Sequence, residues 1–173
     1  MNSTSAKAVV LLSGGLDSVT LLHAAVKELG AENVIALTTN YGQKHSIEIE
    51  MAKKNCAKLN VQHKILDISF LGEIVAPVST LVKKTDIEMP TIQDVLGDPQ
   101  PPTYVPFRNL ILHSIALSFA ESNGCVYVYL GIQAHDLYSY WDTTPELMQA
   151  VNNVATLNRH HLIMMKAPFV TFE

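Results

Sequence analysis

Cysteine is scarce: Cys56 and Cys125 are the only two in 173 residues, far apart and without a Cys-x-x-Cys pair. That usage excludes a disulfide framework and fits a reducing compartment, with each thiol acting as a small buried hydrophobe. Positive charge is short as well. Lys and Arg number 12 against 16 Asp and Glu, a formal net charge of −4. Without a basic footprint no direct nucleic-acid partner is expected, and a small-molecule substrate is the natural one. Long apolar runs are missing too. The polar start Met1-Asn2-Ser3-Thr4-Ser5-Ala6-Lys7 leads straight into Ala8-Val9-Val10-Leu11-Leu12, too short for a signal h-region or a membrane span. No membrane association is expected, and the expected location is cytoplasmic. What the chain does have is a hydrophobic content of 48%, enough for one packed domain and too little chain for two ordinary ones.

Strand-like runs at 8–12, 34–39, 61–66 and 125–130 alternate with helix-like segments at 18–29, 46–59, 109–122 and 145–157, and 164–170 reads as a last strand. The alternation predicts an α/β fold, a doubly wound, Rossmann-like parallel sheet covered on both faces. Residues 1–173 form a single domain in this reading. The stretch 67–104 carries Gly72, Pro77, Pro90, Gly97, Pro99, Pro101 and Pro102 and reads as a long irregular insertion or lid. In open sheets of this kind the ligand lies at the C-terminal strand ends, which makes the residues just after each strand the candidates.

Directly after the first strand stands Leu12-Ser13-Gly14-Gly15-Leu16-Asp17-Ser18. Glycines there let the backbone turn tightly and approach an anion, while the first N–H groups of the following helix point at it. This is not the Walker loop, which needs a wider glycine spacing and a terminal Lys-Ser or Lys-Thr. With no lysine in the turn, anion binding falls to backbone N–H groups, the Ser13 and Ser18 hydroxyls, and a metal ion near Asp17. A plain strand-to-helix turn capped by Asp17 or Ser18 has the same local shape.

Three more clusters fall at strand ends or helix starts. Asn40-Tyr41-Gly42-Gln43-Lys44-His45 follows the second strand, mixing an aromatic face, an amide, a cation and an imidazole. Thr103-Tyr104-Val105-Pro106-Phe107-Arg108-Asn109 precedes a helix, and Arg108 there is placed to clamp phosphate or carboxylate. Gly131-Ile132-Gln133-Ala134-His135-Asp136 follows the fourth strand, with Tyr140-Trp141-Asp142 shortly after.

Together, Ser-Gly-Gly-x-Asp-Ser, Tyr-Gly-Gln-Lys-His, Val-Pro-x-Arg-Asn and the Gly-x-x-x-x-Asp cluster closely resemble the QueC family of 7-cyano-7-deazaguanine synthases. The likeness runs in the same order over nearly all of residues 7–170. The first motif alone marks the wider N-type ATP pyrophosphatases, with their adenine nucleotide alpha hydrolase-like fold, and the later three select QueC. The resemblance implies an ATP-dependent ligase that turns 7-carboxy-7-deazaguanine and ammonia into the nitrile through an acyl-adenylate and an amide. Such chemistry serves queuosine, archaeosine or DNA deazaguanine synthesis.

For the site, the resemblance implies ATP held by Leu12, Ser13, Gly14, Gly15, Leu16, Asp17, Ser18, Val19 and Thr20, with Mg2+ near Asp17. Asp17, Lys44 and Arg108 are the candidate catalytic residues. Tyr41, Gln43, His45, Asn109, Gln133, Asp136, Tyr140 and Asp142 are the candidates for the deazaguanine, with Tyr41, Tyr140 or Trp141 stacking on its ring. A homodimer is expected. Zn2+ is implied by a cysteine cluster in the C-terminal part of family members, and this chain shows none of those ligands; His160-His161 is a poor chelate by spacing. Members continue beyond the point where this sequence stops at Glu173, which reads either as a fragment or as a minimal form. Two departures bear on the product. Phe107 stands where the family has glycine and is expected to narrow the pocket, and Thr143-Thr144 replaces Cys-Arg. They leave open a variant that stops at the amide, and a non-catalytic nucleotide-binding module is the other alternative. A sulfur-relay relative fits poorly, because Cys56 and Cys125 are badly spaced for it.

Overall fold

Alternation along the central strand sets the architecture. In β1 (Ala8–Leu11) and just beyond it, Ala8, Val10 and Leu12 are buried toward one face of the sheet, and Val9 toward the other, as the period of two requires. The first face is covered by α1 (Leu16–Leu29) and α2 (Ile47–Leu59), through Leu21, Leu22, Ala25, Ala52 and Cys56. The second is covered by α4 (Arg108–Ser122) and α5 (Pro145–Ala155), through Ala116, Ala120 and Val151. Each fully buried Val or Leu in these layers contributes on the order of 2 kcal/mol.

The computed structural model describes residues 7–43, 47–83, 85–88, 103–133 and 140–170. Its five strands, β1, β2 (Val34–Asn40), β3 (Gln62–Asp67), β4 (Tyr127–Tyr129) and β5 (Met164–Lys166), pair in parallel in the order β3-β2-β1-β4-β5. The chain winds outward from β1 to β3, then crosses back to β4 on the far side of β1. That reversal opens a crevice between the C-terminal ends of β1 and β4. The expected doubly wound, Rossmann-like sheet is therefore what forms.

Two strands begin later than the hydrophobic runs predict, and one motif accounts for both. At the end of α4, Gly124 has φ 66° and donates to the Glu121 carbonyl, while Cys125 N–H donates to Ala120. At the end of α2, Asn60 has φ 53° and donates to Ala57, while Val61 N–H donates to Cys56. Both are Schellman closures, which spend Cys125 and Val61 on helix carbonyls before the strand can start. The last strand is shorter than 164–170 because Pro168 has no N–H to continue the ladder, and Pro168–Val170 coils into a short 3₁₀ turn.

Within the predicted insertion, α3 (Phe70–Val75) folds back on the end of β2. A Cβ on Gly72 would stand 2.8 Å from the Tyr41 carbonyl oxygen, so glycine permits this approach. Ile68, Leu71, Val75, Val82 and Val105 form a small core of their own, packed against Ile111, Leu112 and Ile115 of α4.

A buried polar chain ties three strands together below the crevice. Thr38 Oγ1 donates to the Leu12 carbonyl at 2.7 Å and lies 2.8 Å from His63 Nε2. With its hydrogen committed to Leu12, the hydroxyl accepts from His63, which fixes the Nε2–H tautomer. Thr38→Val should leave both partners unpaired and cost about 1–3 kcal/mol. Thr38→Ser should retain most of that stability, and urea denaturation of both variants measures the difference.

Candidate functional site

The crevice holds a cleft of about 470 Å³ walled by the ends of β1, β2 and β4 and by the first turns of α1, α2 and α4. Two glycines let these parts close on one another. Gly14 has φ 98°, and a Cβ there would lie 1.9 Å from the Glu48 carbonyl oxygen in α2. On Gly131, just past β4, a Cβ would come within 3.0 Å of Ser18 N and 3.2 Å of the Asp17 carbonyl carbon. The turn after β1 is thus held against α2 on one side and β4 on the other.

Hydroxyls shape the turn itself. Ser13 Oγ accepts from Gly15 N–H at 3.2 Å and lies 3.0 Å from Ser18 Oγ. Ser18 Oγ in turn accepts from Gly14 N–H at 3.2 Å and donates to the Gly15 carbonyl at 3.1 Å. The helix begins at Leu16, with Gly15 in the cap position and no side-chain cap. Neither Asp17 nor Ser18 is the N-cap, since both already lie inside the first turn. Val19 N–H makes the first helical bond, to Gly15, so the N–H groups of Leu16, Asp17 and Ser18 have no intrahelical acceptor. They present the positive end of the α1 dipole to the cleft. Leu12, Ser13, Gly15, Asp17 and Ser18 line it. The side chains of Leu16, Val19 and Thr20 do not: Leu16 is exposed, Val19 packs on the core, and the Thr20 hydroxyl returns to the Leu16 carbonyl.

Across the cleft, the start of α4 presents Arg108 and Asn109. Arg108 Nη1 donates to Tyr41 OH at 3.4 Å, with the guanidinium 5.8 Å from that ring's centre, and it is the one cationic side chain among the described residues lining the cleft. Asn109 Oδ1 accepts from Arg108 Nε, and its Nδ2 donates to the Asp142 carbonyl. Asp142 is buried, its Oδ2 accepting the Asn109 N–H at 3.2 Å. Its carboxylate therefore anchors the α4 terminus, outside the cleft lining. Gln43 lines the cleft but its amide accepts from Tyr41 N–H and donates to the Thr39 carbonyl, stabilising the turn after β2. Tyr140 lines the wall, 2.9 Å from Thr103 Oγ1 and stacked on Tyr104. Gln133 is half-buried beyond the lining. Lys44, His45 and Asp136 lie outside the described residues.

Phe107 does not narrow the pocket. It is 55% exposed, outside the lining, and meets Trp141 edge-on at 5.2 Å. Its φ of 54° is the left-handed conformation that glycine tolerates best. Thr144 is likewise structural, its hydroxyl accepting from Leu147 N–H as the N-cap of α5.

Residues singled out too little from the sequence are Glu48, which brings a second carboxylate to the cleft, and His113, one helical turn past Asn109. His113 is 2% exposed, and its Nδ1 has no hydrogen-bond partner among the described residues. Burial holds its pKa down at about 4. Its signal in the sequence was a lone polar residue on the stripe that Ala116 and Ala120 continue into the core.

Asp17 and Glu48 suit a magnesium ion that arrives with phosphates and keeps several waters. No group of three or more metal-ligating side chains occurs among the described residues, so a structural zinc does not fit them. His161 Nε2 is engaged with the Cys125 carbonyl at 2.9 Å. Burial raises the Cys56 thiol to about 11 and raises Cys125 as well, which makes both poor nucleophiles. No described helix is long and apolar enough to cross a membrane.

Two outcomes test this account. Phe107→Gly should be more stable than Phe107→Ala by about 1 kcal/mol, since both lose the Trp141 contact and only glycine relieves the backbone; thermal melts compare them. His113 has a depressed pKa in the folded state, so the unfolded chain binds the proton first as pH falls. Stability present above pH 6.5 should drop by about 3 kcal/mol toward pH 4, with His63, also held low by burial, adding to the loss. Urea titrations across that range should show the slope, and His113→Leu should flatten most of it.

Comparison with known proteins bears on the family and the fold. The family model for queuosine biosynthesis protein QueC matches residues 7–173. A 7-cyano-7-deazaguanine synthase of Oceanobacillus iheyensis is 41% identical over 170 residues, covering 96% of this chain and 74% of its own. One from Marinomonas sp. is 37% identical over 166 residues, covering 96% and 73%. Among solved structures, the U34-tRNA thiolase NcsA of Methanococcus maripaludis superposes with a TM-score of 0.58 at 16% identity, over 96% of this chain and 52% of that one. The NH3-dependent NAD synthetase of Campylobacter jejuni gives 0.52 at 22%, over 92% and 67%. At those identities the likeness is one of fold alone. The match along nearly the whole chain decides the closer kinship: the protein belongs to the QueC family of queuosine-pathway enzymes.

Proposed function

We propose that the protein converts 7-carboxy-7-deazaguanine and ammonia into 7-cyano-7-deazaguanine at the expense of ATP. One observation carries this reading: a hydroxyl-lined helix terminus, a carboxylate pair and an arginine face a single cleft whose deeper walls are apolar. A carboxylate is a poor electrophile for ammonia and needs activation. Its oxygen attacks the α-phosphorus of ATP, the bond to the β-phosphate oxygen breaks, and pyrophosphate leaves as an acyl-adenylate forms. Ammonia adds to the carbonyl carbon, AMP departs, and a proton is lost to give the amide. The amide oxygen then attacks a second ATP in the same way. AMP leaves with that oxygen, both N–H protons are released, and the nitrile remains.

The residues have distinct parts in this scheme. The free N–H groups of Leu16, Asp17 and Ser18, with the serine hydroxyls, receive the leaving pyrophosphate. Arg108 meets the charge that develops on the α-phosphate. Asp17 and Glu48 are the side chains that would hold a magnesium ion bound with the nucleotide, which would neutralise phosphate charge. Tyr41 and Tyr140 offer flat faces to a heterocycle. Positioning two anions side by side contributes to the acceleration. Phe107 and Thr144 stand away from the cleft and Thr143 lines it, which leaves the choice between the nitrile and a variant that stops at the amide to the product.

Purified protein with ATP, magnesium, ammonia and 7-carboxy-7-deazaguanine should release AMP and pyrophosphate and yield the nitrile by mass spectrometry. An amide end product would establish the shorter reaction, and no release would favour a nucleotide-binding module. Asp17→Ala should reduce pyrophosphate release to background. Unchanged turnover in that variant would sink the role given to the loop.

A further inference from the structure

We infer that His113 is the polar contact by which the deep end of the cleft recognises a bound nitrogen heterocycle, its Nδ1 accepting a hydrogen bond from a ring or amino N–H. The inference rests on the adenylating reading in one respect, the identity of the two candidate rings. Three observations support it.

First, Nδ1 is buried and unpartnered among the described residues, although the side chain lines the cleft. An imidazole in that position is less stable than an apolar group of similar shape unless something supplies the missing bond. Second, much of the lining is apolar. Leu12, Leu37 and Leu130 are buried and apolar, and Leu112 sits beside His113 on α4. An apolar slot with one fixed polar group is the usual means of orienting a flat ligand. Third, apart from Ser18, which is buried, the side chains suited to anions lie nearer the mouth. Ser13 is exposed and Arg108 half-buried, so a ligand that places phosphate or carboxylate there directs its uncharged ring inward, toward His113.

The burial that keeps the imidazole neutral leaves one ring nitrogen as an acceptor, and the proposed contact requires the Nε2–H tautomer, in which that nitrogen is Nδ1. Both rings in play carry matching donors: the exocyclic amine of adenine, and the ring and amino N–H groups of a 7-deazaguanine. The shared chemistry is an N–H-bearing fused heterocycle, and the measurement separates the two sources.

The full chain should be titrated calorimetrically with ATP and, separately, with 7-carboxy-7-deazaguanine, for wild type, His113→Leu, His113→Asn and His113→Gln. His113→Leu should weaken binding of one ligand by about tenfold and leave the other unchanged. Loss toward the carboxylic acid assigns the contact to its ring, and loss toward ATP assigns it to adenine. His113→Asn, which keeps a polar atom near the Nδ1 position, should recover most of the affinity, whereas His113→Gln should not. This rescue is a readout that a purely structural histidine would not give, and melting temperatures confirm that each variant is folded. Unchanged affinity for both ligands in His113→Leu, equal losses in the Asn and Gln variants, or no binding of either ligand by wild type would overturn the inference. Because binding is measured without turnover, a wild type that binds but does not react would defeat the proposed reaction and still leave the His113 contact to be judged on these titrations.

Discussion

The Glu48 carbonyl oxygen occupies the place where a side chain on residue 14 would begin, 1.9 Å from that point. This backbone-to-backbone contact fixes the turn after β1 against α2. With Gly131 pressing on the other flank, it aims the N-terminus of α1 into the crevice. The serine hydroxyl network and the free N–H groups are useful only because the turn is held in this way. A side chain at residue 14 would have to displace α2 or the loop, and it would also have to adopt a left-handed conformation. The fold's contribution to the site is therefore mainly a matter of how closely the main chain can approach itself.

Much of the architecture was legible from periodicity. The parallel order, the two covered faces and the position of the crevice follow from apolar runs alternating with helical stripes. What periodicity did not reveal was where helices stop. Val61 and Cys125 read as strand residues because they are apolar and β-favouring, yet each closes a Schellman motif through its N–H, a backbone role that hydrophobicity does not encode. The site was legible in its composition and less so in its division of labour. Asp142 and Gln43 read as substrate-binding residues, but each side chain hydrogen-bonds the main chain, at the α4 terminus and the β2 turn. His113 was hidden for the opposite reason: a single polar residue on an otherwise apolar stripe looks like core until its unpartnered nitrogen is seen.

Of the departures from the family pattern, Phe107 and Thr144 are absorbed at the rim, while Thr143 lines the cleft. Phe107 joins Tyr104, Tyr140 and Trp141 in an aromatic cluster where Tyr104 OH accepts from both Phe107 N–H and Trp141 Nε1. The strained backbone at residue 107 is thus offset by side-chain contacts, and the Arg108 and Asn109 that follow keep their positions. The thiolase and the NAD synthetase show that the same sheet carries different chemistries, as expected when function resides in loops at one edge of a common scaffold.

Arg108 is a long, flexible side chain of the kind that normally loses considerable rotamer freedom when it grips an anion. Here it already leans on the Tyr41 ring and hydroxyl, from one wall of the cleft to the other. Its ordering is accomplished during folding, so less entropy remains to be lost when a ligand arrives. The contact is long and weak, so it can be exchanged for a stronger one. The cleft thus meets its ligand with its cation already held in place, and binding can proceed by substitution of partners instead of by a search through conformations.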